Sequence, residues 1–203
     1  MLRLSVILPL AVLLFWGCSK TENKNAVPDT KTVVHELEET AISNESGFKI
    51  TCPEFKNGEG IPEQYTCMGD AISPPLAIEG TPADAKSLAL IFDDPDAPRG
   101  TFYHWMLFNI PPDFAYFPID FDNTEEMAKS PIKAAQLYYP PCPPLGETHR
   151  YFIRLYALDT VFSVGDNFEA AYWAKHLQEE MQGHILAEAV YMGRFSRNKP
   201  ITY

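Results

Sequence analysis

A chain of 203 residues with formal net charge −11 at pH 7 has room for one domain with a substantial core. Its 27 acidic against 16 basic residues rule out general affinity for phosphate backbones, and with it a nucleic-acid interface. Any anion site must therefore be local.

Arg3 opens a targeting segment. Leu4 to Trp16 is apolar except at Ser5 and Pro9, and it is shorter than the roughly 20 residues that span a bilayer. Gly17-Cys18-Ser19 follows. This is the pattern of a bacterial lipoprotein signal over residues 1–17, cleaved before Cys18 and acylated on its thiol. An ordinary secretory signal and an uncleaved anchor are the alternatives. Loss of Arg3 with the leader takes the charge from −11 to −12. Residues 18–46 are polar, mixed in charge and without aromatics, which suits a flexible tether. His35 within them reads as a solvated side chain. Residues 47–203 are expected to form one domain.

That domain reads mainly as β. Phe48 to Thr51 is the expected opening strand. Lys86 to Phe92 is a short apolar run ending in a turn cluster, as in a buried strand. The turn, Asp93 to Pro98, holds two X-Pro bonds, each open to either isomer. Thr101 to Ile110 is aromatic-rich and stops at Pro111-Pro112. Tyr151 to Leu158 is apolar on both faces, which places it inside a sheet. A helix is expected from Asn167-Phe168 to Gln182, with Gly183 as its stop. His184 to Phe195 alternates enough to be a closing strand. The 18 prolines sit mostly between these runs. The fold class is a β-rich sandwich with one or two peripheral helices.

If Cys18 is lipidated, Cys52, Cys67 and Cys142 remain, and export permits a disulfide. Cys67 with Cys142 would close a long loop and is the favoured pairing. Cys52 with Cys67 would close a short one, and three reduced thiols are the third alternative.

Two islands carry the chemistry. Asp94 and Asp96 flank Pro95 at the end of a predicted strand, where residues two apart on a tight turn can face one cavity. His104 lies early in the next strand, and alternation puts it on the opposite face from Tyr103 and Trp105. The second island is Cys142-Pro143-Pro144-Leu145-Gly146, followed by His149-Arg150-Tyr151. Sheet pairing is expected to bring both aspartates and both histidines to one end of the sandwich.

An ordered series of motifs then suggests a family. It comprises Ile61-Pro62 to Tyr65-Thr66-Cys67, Ser73-Pro74-Pro75-Leu76, Lys86-Ser87-Leu88-Ala89, Asp94-Pro95-Asp96-Ala97-Pro98, His104-Trp105 with Asn109-Ile110-Pro111, and Cys142-Pro143-Pro144. His149-Arg150-Tyr151 with Tyr156-Ala157-Leu158, and Gly183-His184-Ile185-Leu186-Ala187, complete it. In these the chain resembles the phosphatidylethanolamine-binding protein family, in its bacterial branch of Raf-kinase-inhibitor-like proteins. The resemblance implies two packed antiparallel sheets and a small pocket at one end for anions such as phosphate head groups, with no cofactor and no metal. It assigns Asp94, Asp96, His104 and His149 to the pocket and Pro143 and Pro144 to its wall.

The chemistry is consistent with that assignment. Imidazoles can donate to phosphate oxygens, and backbone N–H groups of Leu145-Gly146 could add more. The carboxylates repel phosphate. Their expected roles are to orient a histidine, to pair with Arg150, or to accept from a ligand ammonium or hydroxyl. Asp94 has a purely structural alternative, capping a turn or pairing with Arg150. Arg150 is expected to be a structural partner and Trp105 a core residue. His176 and His184 are expected to be a solvated helix residue and a turn residue. A dianion should bind only when at least one histidine is protonated.

Two departures from the family pattern stand out. Pro140-Pro141 stands where many bacterial members carry glycine. The segment after Pro112 carries Phe114, Tyr116, Phe117, Phe121 and the acidic run Asp120 to Glu126, and is expected to line the pocket mouth. Other chemistries fit less well. The two Asp and two His match no metal spacing, and a Cys142–His149 nucleophile pair is opposed by the flanking prolines and the favoured disulfide. The expectation is a lipid-anchored protein of the bacterial cell envelope, facing the periplasm and binding a small anionic ligand or phospholipid head group. An inhibitor of a partner enzyme such as a protease is the alternative, and a phosphoester hydrolase is a third.

Overall fold

The computed structural model describes residues 47–165 and 168–200. The leader, Cys18 and the tether lie outside the described residues, as does Asn167, the expected helix start. The described residues form eight strands: β1 Lys49–Thr51, β2 Leu76–Glu79, β3 Ser87–Asp94, β4 Phe102–Ile110, β5 Tyr116–Phe117, β6 Lys133–Gln136, β7 Thr148–Leu158 and β8 Ile185–Ser196. Two helices accompany them, α1 Glu125–Lys129 and α2 Ala170–Glu180. A small sheet runs β1-β2-β5 and a larger one β6-β4-β3-β7-β8, with every pairing antiparallel.

Burial on both faces explains the composition of the central strands. All eight residues of β3 are buried. Leu88, Leu90 and Phe92 face the small sheet, together with Trp105, Leu107, Tyr151, Ile153 and Leu155. Ala89 and Ile91 face the other way, into a second cluster with Met106, Phe108, Tyr156 and Leu158, closed by Trp173 and Leu177 of α2. Trp173 stacks on Phe108 at 4.4 Å between ring centroids. Each fully buried Leu, Ile or Phe contributes about 1.5–3 kcal/mol, so these two layers hold the sandwich together.

The long strands follow the sequence pattern, but their ends do not. β3 extends through Asp93 and Asp94, and β7 begins at Thr148, so Asp94 and His149 are strand residues rather than turn residues. β2, β5 and β6 have four residues or fewer, too short for a periodic signal. The peptide bonds before Pro95 and Pro98 are trans. Cys67 and Cys142 form a disulfide across 75 positions, and Cys52 is free and buried.

Candidate functional site

Antiparallel pairing brings the end of β3 and the starts of β4 and β7 to one end of the large sheet. Asp94 pairs with Phe102 of β4, and Asp93 with Phe152 of β7. The ladder is irregular there: Phe92 faces Trp105, yet Asp93 faces Tyr103. His104 is thus the extra residue of a β-bulge, which re-aims a side chain. Its ring lies 5.5 Å from that of Phe92 and 5.3 Å from that of Tyr151, both in the inter-sheet core. His104 therefore shares a face with Trp105, contrary to simple alternation, and the bulge is the reason. Trp105 is a core residue as expected.

Asp94 and Asp96 have separate jobs. Asp94 Oδ2 accepts from His149 Nδ1–H at 2.7 Å, and its Oδ1 accepts from the Asp96 N–H at 2.9 Å. Asp96 is gripped by Arg150. The guanidinium Nε and Nη2 donate to it at 2.9 and 2.8 Å, and the Arg150 backbone N–H donates at 2.9 Å. Those Arg150 hydrogen bonds, opposed by some burial, hold Asp96 down to a pKa of about 2. Arg150 is thus the structural partner of Asp96, not of Asp94, and Asp96 shapes the turn through this clamp.

The two imidazoles are tuned in opposite directions. Burial lowers the His149 pKa, but hydrogen bonds to Asp94 and Glu147 and the charges of Asp94 and Asp96 outweigh it, so the net shift is upward. His149 Nε2 lies 3.3 Å from Glu147 Oε2. Among the described residues no carboxylate hydrogen-bonds to His104, though the charge of Asp94 acts on it. Burial lowers its pKa, and the hydrogen bond to the Tyr139 carbonyl only partly offsets this. That contact is 2.7 Å from Nδ1. A carbonyl can only accept, so Nδ1 carries the proton, and in neutral His104 the Nε2 is the acceptor.

Between these histidines lies Tyr151, fully buried, its hydroxyl close to the Asp94 carboxylate but making no well-formed hydrogen bond among the described residues. Burial first, then the charge of Asp94 and a hydrogen-bonding interaction with the same carboxylate, then Asp96, push its pKa well above the tyrosine range, so the hydroxyl keeps its proton. A buried hydroxyl left without a hydrogen bond costs about 1–3 kcal/mol. Tyr151 was readable in principle, because it sits two residues after His149 on the same strand face.

The second island is built as a loop tip. Pro143 is buried and Pro144 half-buried, and the Pro144 carbonyl accepts from the Glu147 N–H at 3.0 Å, closing a turn. Gly146 N–H donates to the Arg197 carbonyl at 2.8 Å. The Gly146 N–H is therefore committed within the protein, which corrects the expectation for this one of the two donors. Cys142 is in the disulfide, so no thiol faces His149. Phe102, Leu137, Tyr139 and Leu145 are exposed by 44, 56, 53 and 56% around this end.

The aromatic segment after Pro112 does something other than line the mouth. Phe117 and Phe121 are fully buried in the inter-sheet core, Phe117 through β5, and Phe114 packs on both. A surface depression of about 430 Å³, lined by Pro111, Asp113, Phe114 and Tyr116 among others, opens beyond the far end of β4 from His104. His176 is half-buried on α2, and His184 is exposed in the turn before β8. Among the described residues no group of three or more His, Cys, Asp or Glu side chains is arranged to hold a metal ion.

Comparison with known proteins points the same way as the motifs. The family profile described as phosphatidylethanolamine-binding protein matches residues 51–196. A UPF0098 protein of Methanothermobacter thermautotrophicus is 44% identical over 151 residues, covering 70% of this chain and 95% of that protein. A UPF0098 protein of Chlamydia muridarum is 38% identical over 158 residues, covering 74% and 100%. Among solved structures, a putative phosphatidylethanolamine-binding protein homologue from Chlamydia trachomatis superimposes with TM-score 0.63 at 34% identity, covering 75% of this chain and 99% of that one. YbcL of Escherichia coli, described as a new member of the mammalian family, gives TM-score 0.62 at 26% identity, covering 73% and 98%.

Proposed function

The chain belongs to the phosphatidylethanolamine-binding protein family, and we propose that it is a binding protein for a small anionic, phosphate-bearing group held between His149, His104 and Tyr151. The buried Tyr151 hydroxyl, which has the Asp94 carboxylate nearby but no well-formed hydrogen bond, carries this reading. A buried donor without a well-formed hydrogen bond is stabilised when an acceptor oxygen enters beside it. His149 supports it: Asp94 fixes Nδ1–H, and the group that meets Nε2 is already an anion, the exposed Glu147 carboxylate. A ligand phosphate would take the place of Glu147. Neutral His104 offers an acceptor at Nε2, so the bound anion either keeps one proton or brings one to His104. In the cell, the lipid on Cys18 would hold this domain to a bacterial envelope membrane through residues 18–46, facing the periplasm.

Calorimetric titration with inorganic phosphate and with glycerophosphoethanolamine tests the reading. His149→Ala should abolish the heat of both, and binding that survives this change at full strength contradicts it.

The exposed apolar residues around the same end support a second reading, an inhibitor that docks on a partner enzyme. Under it, Phe102→Ser with Tyr139→Ser loses the partner while phosphate affinity stays within about twofold, and His149→Ala leaves the partner bound.

A further inference from the structure

The acidic aromatic segment 113–126 is unexplained by the family motifs, yet one of its carboxylates reaches the site at one remove. Asp122 Oδ1 accepts from Trp105 Nε1–H at 2.9 Å, and Oδ2 accepts from the Tyr138 N–H at 2.6 Å. Trp105 directly follows His104. Tyr138 directly precedes Tyr139, whose carbonyl takes the His104 Nδ1–H and whose N–H donates to the His104 carbonyl, each at 2.7 Å. One carboxylate therefore ties together the two segments whose spacing sets the His104–Tyr139 contact. Its own segment is anchored from the opposite side. Phe121 N–H donates to Ser73 Oγ at 2.9 Å, and Asp120 N–H to the Ser73 carbonyl at 3.0 Å.

We infer that Asp122 is a positioning residue for the anion site: by holding Tyr138 and Trp105 it locks His104 as the Nδ1–H tautomer, leaving Nε2 as the acceptor. The inference rests on the reading of His104 as a ligand-facing group, but the lock itself is a property of the ligand-free protein and is tested there. The rival tether is the Cys67–Cys142 disulfide, with the Cys67 N–H on the Pro141 carbonyl at 3.1 Å. It enters three residues beyond Tyr139. It constrains where the chain goes, while Asp122 constrains the Leu137–Tyr138 peptide, just ahead of Tyr139.

Asp122→Asn keeps the shape but leaves one acceptor where two are needed, and sets an amide N–H against the remaining donor. Long-range ¹⁵N correlation spectra of the histidine rings read the outcome directly. In the native protein His104 should show a single Nδ1–H tautomer. In the variant its Nε2–H fraction should rise about tenfold, the weight of one lost hydrogen bond. His149, held by Asp94, serves as the internal control and should not change. Trp105→Phe removes one donor and should give a smaller shift of the same sign, which keeps the test available if the first variant does not fold. Reduction of the disulfide should leave the tautomer in place. The inference is overturned if His104 keeps its tautomer in whichever of the two variants folds, if both histidines shift together, or if reduction alone releases His104. Failure of phosphate binding with the tautomer shift present would sink the functional reading and leave the lock standing.

Discussion

His149 Nδ1 donates to Asp94 Oδ2 across 2.7 Å, with 4 and 5% of the two side chains exposed. The pair favours the charged imidazolium at the buried end of the sandwich and fixes which nitrogen faces outward. The upward shift of His149 sets the sign of two pH effects. Its contribution to stability is fully present below the unfolded value of about 6.5 and is lost as pH rises through the higher folded pKa. His104, shifted down, behaves oppositely: its contribution is present above about 6.5 and is lost as pH falls through its folded pKa.

Phosphate affinity should therefore decline as pH rises through the His149 transition, and binding above neutrality should take up a proton. Titrations in buffers of different ionisation enthalpy measure the uptake. Asp94→Asn should move the decline to lower pH. Affinity that stays flat between about pH 5 and 8, with no buffer dependence, would count against a histidine-borne site.

Under the proposed function, Glu147 should compete with a bound phosphate. Its carboxylate is exposed and 3.3 Å from His149 Nε2, a weak contact that an incoming phosphate must displace. Glu147→Ala should tighten phosphate binding by about threefold to tenfold, while lowering the His149 pKa as one raising partner is lost. Calorimetry and a histidine NMR titration check the two effects together. Weaker binding in the variant would mean that Glu147 helps to hold the ligand instead.

The long strands and the clustering of Asp94, Asp96, His104 and His149 were legible because β3, β4 and β7 carry strong apolar patterns whose ends bear the polar residues. The division of labour among those residues was not. Nothing local says that Asp94 takes His149 while Asp96 takes Arg150, since both pairings cross 54 or 55 positions. The face of His104 was misread because a bulge is set by the register of two strands, not by one strand's alternation. The segment holding Phe117 and Phe121 looked like a loop because β5 is two residues long. Its aromatics fill the core, and its Asp122 bridges Trp105 and Tyr138.

The Asp96–Arg150 clamp should set the acid limb of stability. Asp96 is held at a pKa of about 2, below the ordinary 3.8, so its contribution is present above about pH 4 and is lost as pH falls through the folded value. With both side chains partly exposed, at 27 and 37%, about 1–2 kcal/mol is a fair magnitude after allowance for solvent screening. Asp96→Asn should lower the urea-unfolding free energy by that amount near neutrality and by much less near pH 2. A deficit that stays the same across this range would place the effect in the shape of the turn rather than in the ion pair.

The central claim is that the buried Tyr151 hydroxyl awaits a ligand oxygen. Tyr151→Phe, titrated with inorganic phosphate near pH 6, tests it most directly. Removing a hydroxyl that makes no well-formed hydrogen bond should leave the ligand-free protein as stable as before or up to about 1 kcal/mol more stable, and should weaken phosphate binding about tenfold or more. Undiminished phosphate affinity in the variant, or no heat from the native protein up to roughly 10 mM phosphate, a free energy weaker than about −3 kcal/mol, would contradict it.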